Sequence, residues 1–151
     1  MPSPLPQYIE HGRSIETLVN NGIIVIASGG GGIPAFYDDE GILEGINAVV
    51  DKDLSAALLG RVLKSNELWI ITDIDKVYLN FGSKNQVPLR EMTANEAEKH
   101  QRDGHFQIGT MQPKIKAALY FLKHHGQKVV ITSINGVEEA INGNNGTIIR
   151  N

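Results

Sequence analysis

The sequence contains no cysteine, no long hydrophobic run and no excess of positive charge. Without cysteine the chain forms neither a disulfide framework nor a thiolate metal site. Its 14 Lys and Arg against 17 Asp and Glu give a formal net charge of -3, which argues against nucleic acid or an anionic membrane as a partner. The longest aliphatic run, residues 23–27, is too short to cross a bilayer, and the chain does not open with a basic stretch followed by a long apolar one. We therefore expect a cytoplasmic protein.

The pattern of apolar residues predicts alternating strands and helices. With 151 residues, 41% of them hydrophobic, the chain can bury one core, and we expect a single domain over residues 1–151. The apolar runs predict buried strands at 23–27, 68–72, 129–132 and 147–149. Helical spacing and a capping-box pattern predict helices at 53–63, 93–102, 114–123 and 137–141, and an acidic turn predicts a β-hairpin excursion within 36–50. This alternation predicts an α/β fold with a mainly parallel sheet.

The first predicted strand is followed by four consecutive glycines, Gly29, Gly30, Gly31 and Gly32. Ligands bind at the carboxyl ends of strands in open α/β sheets, and backbone amides free of side chains can cradle an anion there. A tight turn explains the same cluster, because glycine is favoured wherever φ is positive. Ile33 and Pro34 follow in place of a helix, so the cluster does not support a Rossmann dinucleotide site.

The run Asp51-Lys52-Asp53 stands at the start of the predicted helix 53–63 and has two explanations. A carboxylate at this position can cap free amides, and the lysine can form a surface ion pair. Helix N-termini also bind phosphates, and a lysine there can follow negative charge as it shifts during phosphoryl transfer. The run by itself leaves both explanations open.

Two further segments place polar groups where a ligand would bind. Thr72 and Asp73 end the second predicted strand, where ligands bind in α/β folds. Tyr78, a few residues later, can stack on a flat ring or hold a ribose hydroxyl. The structural alternative is that Asp73 caps a turn and Tyr78 is a partly buried core residue. The loop 109–114 puts Lys114 at the positive end of a helix dipole, which favours an anion held there, although a solvated lysine tolerates the same position.

The five histidines do not pair with acidic residues at a zinc-ligand spacing on a convincing helix. We therefore expect no metal ligands in this chain apart from Mg²⁺ that arrives with a nucleotide.

Taken together, the motifs resemble those of carbamate kinases, which have the amino acid kinase fold. The residues that carry the resemblance span the whole chain and include 2–4, 25–34, 50–54, 68–73, 104–106, 109–114 and 145–147. The resemblance implies a three-layer αβα sandwich and the reaction of ATP with carbamate, formed from ammonia and CO₂, to give ADP and carbamoyl phosphate. This reaction is reversible, and the family's usual setting is arginine breakdown through the arginine deiminase pathway.

The resemblance also assigns roles to individual residues. Lys52 and Lys114 would neutralise the transferring phosphoryl group, and Asp53 would hold these lysines in place. The glycines Gly29 to Gly32 would line the cleft near the transferred group. The positions that match the family's adenosine pocket are Thr72, Asp73, Tyr78, Met111 and Pro113.

The sequence departs from the family in two ways. Gln112 replaces a glycine that permits close backbone approach, and carbamate kinases are roughly twice as long, so the chain resembles their C-terminal, nucleotide-binding half. The remaining half would supply most of the carbamate site. We therefore expect a phosphotransferase completed by a separate N-terminal half, or a homodimer. The alternatives are a non-catalytic remnant that at most binds ADP or ATP, and an oligomerising interaction module.

Overall fold

The computed structural model describes residues 2–151; Met1, the first residue of the predicted domain, lies outside this range. The helices are α1 (Gly12–Asn20), α2 (Lys52–Val62), α3 (Ala94–Arg102), α4 (Met111–Lys123) and α5 (Val137–Ile141), with a 3-10 turn at Ile134–Gly136 before α5. The strands are β1 (Ala35–Tyr37), β2 (Leu43–Gly45), β3 (Glu67–Thr72), β4 (Val77–Leu79), β5 (Val87–Leu89), β6 (Glu91–Thr93), β7 (Lys128–Ser133) and β8 (Thr147–Arg150). No helix within residues 2–151 is long and apolar enough to cross a membrane.

Four strands form the central sheet in the order β3, β7, β8, β6. The β3–β7 and β6–β8 pairs are parallel, whereas β7 and β8 are antiparallel, so two of the three pairings agree with the predicted direction. Separate antiparallel hairpins are formed by β1 with β2 and by β4 with β5. The α/β fold and the hairpin within residues 36–50 are confirmed.

The hydrophobic core lies between the sheet and helices α2, α3 and α4. Fully buried positions include Ile131 on β7, Ile149 on β8, and Ile115 and Phe121 on α4. The opposite face is less well covered, because the side chain of Ile71 on β3 remains 42% exposed. The prediction of a buried strand at 68–72 is therefore correct for one face only.

The prediction of a buried strand at residues 23–27 is wrong. The segment has no strand pairing, and Ile24 and Ile26 are 94% and 98% exposed. A strand forms only when a neighbour accepts its backbone hydrogen bonds, and no strand of residues 2–151 lies beside this segment. The β-branched composition indicates a preference for extended structure but cannot supply the missing partner.

The helix termini agree with the sequence pattern except at α4. Thr93 and Glu96 form the predicted capping box of α3. Helix α4 begins at Met111 rather than at Lys114, so the predicted loop is three residues shorter. Pro113 does not prevent this, because the first-turn amides of a helix have no intrahelical acceptor.

The packing of α2 against α4 depends on Gly60, which lies under the buried ring of Phe121. A Cβ added to Gly60 would be 2.7 Å from Cε2 of Phe121. We expect Gly60→Ala to lower the free energy of unfolding by about 1–3 kcal/mol, because overpacking outweighs the gain in helix propensity. Urea denaturation followed by circular dichroism measures this change. Gly45→Ala is the control, since no atom lies within 4 Å of its added Cβ, and equal effects of the two variants would contradict the packing argument.

Candidate functional site

A cleft of about 390 Å³ opens at the carboxyl end of β3. It lies between the segment that continues into β4 and the loop that joins α3 to α4. Its lining consists of Lys52, Thr72, Asp73, Ile74, Tyr78, Phe81, His105, Phe106, Gln107, Gly109, Thr110, Met111 and Lys114. The structure therefore brings together six of the predicted site residues, which are Lys52, Thr72, Asp73, Tyr78, Met111 and Lys114.

One wall of the cleft is aromatic. The rings of Tyr78 and Phe81 lie 5.7 Å apart at an interplanar angle of 53°. The Tyr78 hydroxyl donates a hydrogen bond to Oδ1 of Asp75 at 2.8 Å, and Lys76 donates both to Asp75 and to Oδ1 of Asn145. The hydroxyl is thus already used within the protein. Of the two predicted roles for Tyr78, the geometry favours a flat surface for stacking over a ribose contact.

This hydrogen-bonded group has altered acidities. Burial raises the pKa of Asp75, but the hydrogen bonds from Tyr78 and Lys76 outweigh it and bring the pKa below its ordinary value. The hydrogen bond to Asp75 is the main cause that raises the pKa of Tyr78. At neutral pH Asp75 is therefore ionised and Tyr78 is protonated. In these charge states the hydrogen bond from Tyr78 to Asp75 forms, and it restrains the ring of Tyr78 at the cleft.

The cleft lining also carries two lysines. Nζ of Lys114 lies 3.1 Å from Oδ2 of Asp53, and the two side chains are only 12% and 10% exposed. Lys52 is exposed and forms no ion pair among the described residues. Asp53 does not line the cleft itself, but its ion pair holds Lys114 in position. One cation is therefore held in place and the other is free to move.

Two helix N-termini point their positive ends at this region. Lys52 is the first residue of α2, and Lys114 lies in the first turn of α4. Asp51 caps α2, as its side chain accepts hydrogen bonds from the amides of Asp53 and Leu54. The capping explanation of Asp51 is therefore confirmed. Capping by Asp51 does not exclude an anion site, because the next residue, Lys52, still lines the cleft.

The glycine cluster does not line the cleft but packs against the start of α2. The carbonyl of Gly31 accepts a hydrogen bond from Oγ of Ser55 at 2.7 Å, and a Cβ on Gly31 would collide with the carbonyl oxygen of Val50. Gly31 has a φ of 137°, which also disfavours other residues. Gly29, Gly30 and Gly32 are exposed beside it. The turn explanation thus holds for Gly31, and its neighbours leave bare backbone near Lys52.

Several cleft residues were not singled out as site residues by the sequence. Phe81 reaches the cleft through the β4–β5 hairpin, for which the sequence offered no clear signal. His105 and Phe106 belong to a motif that contributed to the family resemblance, and this motif was the available signal. Pro113, in contrast, lies in the first turn of α4 and does not line the cavity.

Comparisons with known proteins agree with this geometry. Residues 4–133 match the Amino acid kinase family. Carbamate kinase 3 of Staphylococcus aureus (strain USA300) is 46% identical over 152 residues, which cover 100% of this chain and 49% of the relative. The carbamate kinase of Trichomonas vaginalis is 41% identical over 150 residues, which cover 99% and 48%. The chain therefore spans about half the length of the curated relatives it matches.

Solved structures show the same relationship. Carbamate kinase from Giardia lamblia bound to AMP-PNP superposes with a TM-score of 0.94 at 37% identity, over 99% of this chain and 47% of that one. UMP kinase from Ureaplasma parvum superposes with a TM-score of 0.62 at 16% identity, which shows a shared fold only. The predicted resemblance to carbamate kinases is confirmed over the length of the chain, and the chain belongs to the amino acid kinase family.

Proposed function

We propose that this chain is the C-terminal, nucleotide-binding half of a carbamate kinase that converts ATP and carbamate reversibly to ADP and carbamoyl phosphate. The observation that carries the proposal is that Lys114, held by Asp53, lines the same cleft as Lys52. The names of relatives that are 41% and 46% identical to the chain support the same activity. The family resemblance further suggests a role in arginine breakdown in the cytoplasm.

The cleft has the shape and charge that a nucleotide requires. The aromatic wall formed by Tyr78 and Phe81 would stack on the base, and Met111 adds an apolar contact. Thr72 and Asp73 line the same cavity and offer polar groups to the ribose. This arrangement directs the phosphates toward the two lysines and the helix N-termini. A solved relative was obtained with AMP-PNP, which is consistent with this assignment.

The two lysines would act on the transferring phosphoryl group. Phosphoryl transfer proceeds with negative charge spread over three oxygens, so catalysis consists mainly of positioning and charge stabilisation. Lys114 is fixed by Asp53 and supplies a preorganised charge. Lys52 has no such partner and can follow the group as it moves between the donor and acceptor oxygens. The exposed backbone of Gly29, Gly30 and Gly32 would leave room for the phosphoryl group beside Lys52.

Mg²⁺ is expected with the nucleotide rather than as a resident ion. Within residues 2–151 no three acidic or histidine side chains are close enough to hold a metal. Mg²⁺ commonly retains several waters and is bound through substrate phosphates with few protein ligands. When bound with the nucleotide it neutralises phosphate charge, and the residues of this chain orient the base and the terminal phosphate.

A complete enzyme would need a second polypeptide that packs against this chain. The central sheet ends at β3, and the side chains of Ile24 and Ile26 lie almost fully in solvent. Exposed isoleucines and an unpaired sheet edge are each characteristic of surface that is covered by another chain. We propose that the other half of the family fold covers this surface and brings most of the carbamate site. A homodimer through the same edge is the alternative.

The second prediction concerns the lysines. Lys114→Met and Lys52→Met should each weaken ADP binding by roughly tenfold or more, because charge-assisted hydrogen bonds to phosphate are lost. In a complex that forms ATP, each change should also lower kcat by roughly a thousandfold or more. Isothermal titration calorimetry and a coupled assay of ATP formation measure these effects.

Lys116→Met is the matched control, because Lys116 lies on α4 but is exposed and does not line the cleft. The control should bind ADP as the wild type does. Equal ADP affinity in all four proteins would contradict the proposed phosphate site.

The third prediction concerns assembly. The chain should form ATP from ADP and carbamoyl phosphate only after it is mixed with the part of the S. aureus relative that it does not match. The mixture should sediment as a species that contains both polypeptides. Assembly without ATP formation, with ADP still bound, would favour the non-catalytic remnant. A well-folded monomer that binds neither the added half nor itself would contradict the role of the exposed sheet edge.

A further inference from the structure

We propose that His105 reads the edge of the nucleotide base as a hydrogen-bond acceptor and that Asn80 fixes it in this role. The inference rests on the proposed nucleotide site and adds a specificity-determining residue to it. His105 lines the cleft together with Tyr78 and Phe81, so it faces the space in which a stacked base would lie.

The hydrogen bond between Asn80 and His105 joins the turn after β4 to the loop between α3 and α4. Nδ1 of His105 lies 2.8 Å from Oδ1 of Asn80, although the residues are 25 positions apart. The amide nitrogen of Asn80 donates to the carbonyl of Asn85 at 3.5 Å, which orients its oxygen toward the imidazole. Asn80 has a φ of 52°, a conformation that asparagine adopts more readily than most residues. The turn after β4 therefore presents an acceptor to His105.

This hydrogen bond determines which nitrogen of His105 carries the proton. An amide oxygen only accepts, so Nδ1 of His105 must donate. In a neutral imidazole the other nitrogen then has a lone pair and no hydrogen. Nε2 is the ring nitrogen that remains for a ligand in the cleft, and it can only accept.

The ring plane of His105 is also held by its neighbours. His100 contacts His105 edge-on, with ring centroids 5.5 Å apart, and contacts Phe106 in the same way at 6.3 Å. Phe106 is buried, so it anchors this small cluster to the core. An acceptor whose tautomer and ring plane are both restrained can select for the orientation of its donor.

The expected donor is an exocyclic amino group on the base. Adenine carries such a group at C6, whereas hypoxanthine and guanine carry a carbonyl oxygen there. A carbonyl facing Nε2 would place two acceptors together and leave both unpaired, which disfavours binding. The site should therefore prefer a 6-amino purine nucleotide to its 6-oxo analogue.

The tautomer can be measured without any nucleotide. Long-range ¹H–¹⁵N NMR correlations on the wild-type chain should show His105 with the proton on Nδ1. Asn80→Ala should abolish this preference, and Asn80→Asp, which keeps an acceptor oxygen, should preserve it. The proton on Nε2 in the wild type would overturn the inference and would leave the proposed kinase function intact.

The selectivity can be measured by calorimetric titration with ADP and inosine diphosphate, which differ at C6 of the base. The wild type should bind ADP roughly tenfold or more tightly than inosine diphosphate. His105→Phe keeps a flat ring but no acceptor, and it should reduce this ratio to near one through weaker ADP binding. His11→Phe is the control, because His11 is exposed and does not line the cleft, and it should keep the wild-type ratio.

The outcomes separate the two proposals. ADP binding with the same selectivity in the wild type and in His105→Phe would overturn the role of His105 but not the nucleotide site. A wild type that binds ADP and inosine diphosphate equally would also overturn the role of His105 and leave the nucleotide site intact. A wild type that binds neither nucleotide would overturn the proposed function and the base-reading role together.

Discussion

The ion pair between Lys114 and Asp53 joins the first turns of α4 and α2, and the geometry of the cleft depends on it. Both side chains are largely buried, so neither charge is stable there without the other. The two helices also pack closely, since Phe121 of α4 occupies the space that Gly60 of α2 leaves open. Packing brings the N-termini of α2 and α4 together, and the ion pair then holds the ammonium group of Lys114 in place at the cleft.

The second constraint is the hydrogen-bonded group that holds the β4 segment. Lys76 links Asp75 to Asn145, which lies in the turn before β8, while Asp75 binds the hydroxyl of Tyr78. The backbone amide of Val77 also donates to Oγ1 of buried Thr147. The aromatic wall is therefore attached to the central sheet, and it lines the same cleft as Lys52 and Lys114. In the proposed function, a nucleotide stacked on this wall would extend its phosphates toward these lysines.

The sequence predicted the α/β class, the hairpin within 36–50, the capping box at Thr93 and six of the thirteen residues that line the cleft. These features depend on local patterns or on short motifs that the chain carries intact. The strand at residues 23–27 was predicted wrongly because a strand needs a neighbour, and the described chain has none for it. Phe81 was missed because only the β4–β5 hairpin brings it to the cleft.

The sequence by itself determined the family, because the lysines, glycines and acidic residues occur in an order and spacing that unrelated chains do not share. It also indicated Asp51 as a helix cap, which was one of two explanations for the run 51–53, since capping requires only residues close together in the chain. The resemblance implied that Asp53 holds both lysines, but only the tertiary structure decided that it pairs with Lys114 and, among the described residues, not with Lys52. Only the tertiary structure also decided that the hydroxyl of Tyr78 is occupied and that Asn80 contacts His105. These contacts join residues far apart in sequence, and their distances follow from how helices and sheet pack in three dimensions.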